Sequence, residues 1–238
     1  MKSIQIQAKV WNNPLFGHKR LVCVHERVGS GPVEVVIRPD LFEQLCGIFE
    51  TSVPDERYLT GARIVRLKQS LAQMFSIEYF EQTIYFELTD GNRASRYGTS
   101  RVRRLTQDDL PAIQRALARE GITRNPADLP GFNGGYGCFL DNDLASWANI
   151  ADEAENRSHV INVYTVRAER GRGYATAAVA ACAREILSRG RIPRTSTVVE
   201  NLAMNAICRK LGFEKTTETF EAFEQEKDGS FHHGGNKR

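Results

Sequence analysis

Apolar and polar residues alternate from the start of the chain. Ile4, Ile6, Ala8 and Val10 are separated by Gln5, Gln7 and Lys9, the period-2 pattern of a half-buried strand. Two more strands are predicted over 21–28 and 33–38, split by the turn-forming run Gly29-Ser30-Gly31-Pro32. The period then lengthens. Pro39 and Asp40 open a helix with Leu41, Phe42, Leu45, Cys46 and Phe49 along one side, and proline suits a first turn where its missing N–H has no partner to lose. A second helix is predicted over 54–75, carrying Ile64, Val65, Leu67, Leu71 and Met74, and a strand over 77–88 follows. The polar, turn-rich run from Thr89 to Ser100 is where a domain boundary is expected.

Beyond it the order of elements changes. A short strand over 102–105 leads, past Asp108 or Asp109, into a helix through Arg119. A loop rich in Gly, Pro and Asn runs from Gly121 to Gly137, and strands over 138–140 and 144–149 flank Asp141-Asn142-Asp143 as a hairpin. A strand over 159–166 precedes a helix over 175–189, stopped by Gly190. A strand over 195–199 precedes a helix over 203–211, stopped by Gly212, and a strand over 214–223 ends the series. This divides the chain into a mixed α/β domain over 1–97, a second domain over 101–223 and a disordered, charged tail over 224–238.

Composition narrows the class. The chain has 238 residues, 41% of them hydrophobic, enough for two compact units with their own cores. A net charge of +3 offers no reason to invoke nucleic acid or an anionic membrane. Five scattered cysteines with no Cys-x-x-Cys pair suggest neither disulfides nor zinc, which fits a reducing cytoplasm. The adjacent His232 and His233 lack further ligands, so no metal is expected. The start carries no signal-peptide core, and the most apolar stretch, 175–187, is too short to span a bilayer.

The chemistry concentrates where the strand over 159–166 meets the next helix. In Arg170-Gly171-Arg172-Gly173-Tyr174-Ala175 the glycines leave no Cβ in the way, so backbone N–H groups can turn toward an anion. The following helix adds its unpaired amides and the positive end of its dipole, and Arg170 and Arg172 add charge. Such a corner suits a pyrophosphate; its plain alternative is a turn that merely needs glycine. A dinucleotide fingerprint fits less well, because Gly171 lies several charged residues past the strand and Thr176 occupies the third small position.

A second block, Asn201-Leu202-Ala203-Met204-Asn205-Ala206-Ile207-Cys208-Arg209-Lys210-Leu211-Gly212-Phe213, separates the alternatives. Together with Arg170–Ala175, which matches Arg/Gln-x-x-Gly-x-Gly/Ala at every fixed position, it resembles the GNAT N-acyltransferases. Asn201, Lys210, Gly212 and Phe213 fall in register with the family's second motif, and the resemblance covers about residues 101–223. It implies a mixed α/β (α+β) fold with a central, largely antiparallel sheet flanked by helices, preceded here by a smaller N-terminal α/β domain. It also implies acetyl-CoA, or another acyl-CoA, as co-substrate and a small-molecule or protein amine as acceptor. Tyr164, Thr165 and Val166 would offer backbone groups to the pantetheine arm. Arg170, Gly171, Arg172, Gly173, Tyr174, Ala175 and Thr176 would take the pyrophosphate, with Asn201 opposite.

The resemblance breaks at the catalytic groups. The family's frequent second-motif tyrosine, which protonates the leaving thiolate, is Cys208 here; Cys208 is the candidate acid, with core packing as its plain reading because Met204, Ile207, Cys208 and Leu211 follow the spacing of a core-facing stripe. The glutamate many relatives carry on the preceding strand is also missing. His159 and Glu200 are the candidates for base, with surface placement and helix capping as their plain readings. Deprotonating a lysine-like amine at pH 7 costs about 4–5 kcal/mol, against about 1 for an α-amine, so a site lacking a strong base suits a low-pKa amine. Asp128, Phe132, Tyr136 and Trp147 are candidates for the acceptor pocket, with core packing as the alternative for the aromatics. A catalytically weak acyl-CoA-binding regulatory module is the second reading, acylation of aminoacyl-tRNA a distant third, and a homodimer is compatible with all of them.

Overall fold

The computed structural model describes residues 3–11, 19–29, 31–49, 59, 61–123, 134–153 and 156–225. Among them no helix is long and apolar enough to cross a membrane, and no group of three or more His, Cys, Asp or Glu is placed to hold a metal. His232, His233 and nearly all of the tail lie outside the described residues.

Packing divides the chain into two compact units, one of residues 1–83 with 217–238 and the other of residues 84–216. The expected boundary at 89–100 and the observed division differ, for a physical reason. Residues 84–100 pack into the second unit: Ala94 is fully buried in the core there, and Arg184 Nη1 donates to Ala94 O and Tyr97 O, both at 2.9 Å. A run that is polar by count is thus held by one buried alanine and one arginine.

In the first unit, β1 (Ile4–Ala8) pairs in parallel with β3 (Val33–Ile37), which pairs antiparallel with β2 (Arg20–Arg27). β10 (Glu214–Glu224) enters this unit at Thr217 and lies antiparallel against β2, with β4 (Ile77–Glu87) as its other neighbour. α1 (Phe42–Phe49), entered through a 3-10 turn at Pro39–Leu41, and α2 (Gly61–Met74) supply the second layer. Val22, Val24, Val35, Ile37, Phe220 and Ala222 face Leu45, Phe49 and Leu71 in one core. Glu26 and Glu218 sit opposite each other within it, 1% and 3% exposed. Glu26 Oε2 accepts from Leu59 N–H at 2.9 Å, and Glu218 accepts from Gln82.

The second unit has the strand order β4-β9-β8-β7-β6-β5, formed by β5 (Val102–Arg104), β6 (Gly135–Leu140), β7 (Asp143–Asp152), β8 (Arg157–Thr165) and β9 (Ile192–Val198). Neighbours from β5 to β8 are antiparallel, and β8 and β9 are parallel. The mixed, largely antiparallel sheet expected of the C-terminal part is present. α4 (Tyr174–Ser188) and α5 (Leu202–Leu211) cover one face with a core of Ala178, Val179, Cys182, Ile186, Cys208, Leu211, Val160 and Ala148. α3 (Leu110–Arg119) covers the other with Ile113, Leu117, Leu105, Leu144 and Trp147. α4 is small and apolar nearly all round, so it lies close against β6, β7 and β8.

Candidate functional site

The site begins with an interruption in the sheet. The parallel ladder between β8 and β9 holds only for Arg157↔Ile192, Ser158↔Pro193 and His159↔Arg194, with Thr195 Oγ1 donating to Val160 O at 2.9 Å as its last tie. Beyond it β8 stays with β7 and departs from β9. The cause is local: Asn162 has φ +51°, and β8 places two residues between Ile161 and Tyr164 where β7 places one between Trp147 and Asn149. This bulge bends the strand and leaves its β9-facing edge without a ladder. Ser146 Oγ fixes the far side by donating to Tyr164 O at 2.7 Å and lying 2.9 Å from Thr165 Oγ1.

Between the parted strands lies a cavity of about 570 Å³, walled by Val160–Thr165 of β8, Thr195–Thr197 of β9, the loop before α4, and one side of α5. Val166 N–H returns to Ala145 O at 2.9 Å, and Glu120, at the end of α3, accepts from Arg167 N at 3.0 Å and from the Tyr164 hydroxyl at 3.3 Å. These contacts pin the start of the loop. Gly171 and Gly173 then take φ of +79° and +84°, and a Cβ on either would meet nothing within 4 Å. Ala177 N–H is the first amide at this end of α4 to find a backbone acceptor, on Gly173 O at 3.1 Å. Among the described residues, the amides from Gly171 to Thr176 thus have no backbone acceptor at a helix N-terminus, the condition for binding an anion.

The profile of the Acetyltransferase (GNAT) family matches residues 100–213. Residues 100–213 are a GNAT acetyltransferase-family domain. Solved structures of similar fold include a GNAT-family protein from Novosphingobium aromaticivorans DSM 12444, with 19% identity and a TM-score of 0.52, covering 63% of this chain and 67% of that one. A GNAT-family acetyltransferase from Colwellia psychrerythraea has 11% identity and a TM-score of 0.51, covering 80% and 76%. A functionally unknown conserved protein from Staphylococcus epidermidis ATCC 12228 has 7% identity and a TM-score of 0.51, covering 74% and 70%. At these identities the likeness is one of fold. No curated protein matches the chain.

Of the residues expected at the coenzyme in this GNAT domain, Tyr164, Thr165, Arg170, Gly171, Gly173, Tyr174, Ala175, Thr176 and Asn201 line the cavity. Val166 and Arg172 do not. Val166 packs toward the α3 core, and Arg172 pairs with Glu169 at 3.2 Å. Arg170 Nε donates to Thr165 O at 3.2 Å, bracing the loop against the end of β8. Asn201 caps α5, its side-chain oxygen accepting from Met204 N–H at 3.1 Å.

The three catalytic candidates part company. Cys208 is fully buried in the core under α4 and α5, and burial pushes its thiol up to about 12, so it faces no reacting group and offers no thiolate near neutral pH. Glu200 is exposed beside the start of α5 and does not line the cavity. His159 sits just behind the cavity wall, between Glu153 and Ser196. The acceptor-side candidates are not brought together either. Trp147, 1% exposed, packs against Tyr164 with tilted rings 4.8 Å apart in the α3 core, while Tyr136 lies on the α4 face of the sheet. Burial, then the adjacent Glu185, raises the Tyr136 phenol. Tyr136 pairs with Ala148, the residue next to Trp147, and successive residues of a strand face opposite sides of the sheet, so these two aromatics do not line a common acceptor site. Asp128 and Phe132 lie outside the described residues.

Sequence reading missed the hydroxyl-bearing wall Thr195-Ser196-Thr197 and missed Asn205. Asn205 Nδ2 donates to Asn201 O at 2.9 Å, Val199 O at 3.2 Å and Val198 O at 3.4 Å, tying β9 to α5. The signal for the first was a Thr-Ser-Thr run inside a strand next to the motifs; for Asn205 it was an amide in the apolar stripe of a short helix.

Proposed function

We propose that this chain transfers an acyl group, most simply acetyl, from acyl-CoA to the nitrogen of an amine by direct attack in a ternary complex. One observation carries the reading: the parted β8 and β9 open directly onto a loop whose amides have no backbone acceptor among the described residues, with left-handed glycines where any Cβ would be strained. A pantetheine chain is a string of amides that needs exposed strand backbone, and a pyrophosphate needs converging N–H groups. The cavity offers both in sequence. The residues would position the thioester and the amine, which is where much of such a reaction's acceleration arises.

The absence of an acid at Cys208 favours a second reading, in which the domain binds acyl-CoA and transfers slowly or not at all. Titration calorimetry with acetyl-CoA, coenzyme A and NADH, on wild type and Gly173→Asp, tests the shared premise. Acetyl-CoA should bind wild type, and the variant, folded by circular dichroism, should bind at least about tenfold more weakly because it places a negative charge at the amide cluster. Binding of NADH alone would replace the coenzyme A reading. Release of free thiol with an amine panel then separates the transferase from the binding module.

A further inference from the structure

Ser196 and His159 stand on neighbouring strands: His159 occupies the last paired position of β8 and β9, opposite Arg194, and Ser196 lies two residues past that pair. Ser196 lines the cavity, and its Oγ is 3.3 Å from His159 Nε2. The other ring nitrogen, Nδ1, is 2.8 Å from Glu153 Oε1, at the end of β7. Glu153 is held in turn: Arg194 Nη1 lies 3.5 Å from its Oε2, and Arg191 donates to its backbone carbonyl. The imidazole is mostly buried, with its side chain 15% exposed. With Nδ1–H donating to the carboxylate, Nε2 is left to accept from the serine hydroxyl.

From this geometry we infer that Ser196, His159 and Glu153 form a proton relay that deprotonates the acceptor amine, which makes alkylamines of ordinary basicity the substrate class. The inference rests on the acyl-CoA reading of the cavity. A docked ammonium gives one N–H proton to Ser196 Oγ as the serine proton passes to His159 Nε2. Glu153 stabilises the resulting imidazolium without taking the proton. The neutral amine then attacks the thioester carbonyl carbon; the C–N bond forms, and the C–S bond breaks with its electron pair on sulfur. The second nitrogen proton goes to that thiolate, and the imidazolium returns the first to solvent. The net change is ammonium plus acyl-CoA to amide, free thiol and one proton. Ser196 is the group that touches substrate. His159 and Glu153 act through it, so the missing glutamate of β8 and the misplaced Cys208 leave deprotonation provided for.

The test compares wild type, Ser196→Ala and His159→Gln, each titrated with acetyl-CoA and assayed for thiol release with a series of primary alkylamines and with hydroxylamine, which is unprotonated at neutral pH. We expect His159→Gln to keep its acetyl-CoA affinity, and both variants to lose about 10²-fold or more with the alkylamines at saturating acetyl-CoA, the typical size of general-base catalysis. The loss should be much smaller with hydroxylamine, which needs no base, and added imidazole should restore part of the His159→Gln rate. An equal loss with both nucleophiles overturns the relay, since a packing defect does not sense acceptor basicity. So does an unchanged rate, or an acetyl group found on Ser196 by mass spectrometry, which would mark a covalent nucleophile. Wild type that binds acetyl-CoA and accelerates none of the amines also overturns it. Failure of wild type to bind acetyl-CoA instead removes the reading of the cavity itself.

Discussion

Replacing Asn205 with aspartate reverses the electrostatics of the joint between β9 and α5 at almost no change in volume. The Asn205 amide is buried, 7% exposed, and three carbonyl oxygens converge on its Nδ2 within 3.4 Å. An ionised carboxylate has no donor to offer them, and a protonated one has a single O–H. With one O–H in place of two N–H donors, the loss of about one hydrogen bond costs about 1 kcal/mol even when the group is neutral. Ionisation adds more. The introduced carboxyl would face three carbonyl oxygens in the core, which raises its folded pKa above the unfolded value of about 3.9. With the folded value raised, the folded state holds the proton longer, so stability falls as pH climbs from the unfolded to the folded value. A rise of about two units removes a further ~3 kcal/mol by pH 7, for a total of ~4 kcal/mol against a typical domain stability of about 5–15. Urea denaturation at pH 5 and pH 8 measures it, with Asn205→Ala as the uncharged control. The aspartate variant should lose more relative to wild type at pH 8 than at pH 5, while the alanine variant loses about 2–3 kcal/mol at both. A gap under about 0.5 kcal/mol, or one that is the same at both pH values, would refute the reasoning.

Two further outcomes follow from buried groups elsewhere. Asp109 accepts from Arg103 at 2.6 and 2.9 Å and from Thr106 N–H at 2.9 Å, and the Arg103 guanidinium holds its carboxyl below the usual range. Its contribution is complete above about pH 4 and is lost as pH falls through the lower folded value; with Arg103 half exposed, Asp109→Asn should cost about 1 kcal/mol at pH 7 and little near pH 2 in thermal melts. Iodoacetamide should label Cys46, the one cysteine that is not fully buried, while Cys182 and Cys208 stay unmodified by mass spectrometry until urea unfolds the chain, because burial raises both thiols. Rapid native labelling of Cys208 would place it at the cavity after all.

Much of the second unit was legible along the chain because its signals are local. Gly190 and Gly212 end helices where the periodicity stops, and Gly171 and Gly173 sit where a strand must turn into a helix around an anion. Turn chemistry likewise located the hairpin at Asp141-Asn142-Asp143 and the break between β2 and β3 at Gly29-Ser30-Gly31-Pro32. These features depend on residues a few positions apart, which share one peptide geometry.

What only the tertiary structure decided depends on partners far apart in sequence. Thr89–Ser100 has the composition of a linker, yet Arg184, about 90 residues on, captures two of its carbonyls and makes it part of a core. Tyr136 and Trp147 look alike as acceptor-pocket aromatics, but the pleat turns them to opposite faces. Cys208 stands where a related chain carries an acid, and only its burial shows that it packs. The relay is the clearest case. Glu153, His159 and Ser196 carry no motif, and nothing in their spacing joins them; the parallel pairing of β8 with β9 puts the serine beside the imidazole, and the end of β7 brings the carboxylate to its other nitrogen. Local sequence sets turns and caps because they close over a few bonds, whereas a site assembled across strands exists only once the sheet has chosen its register.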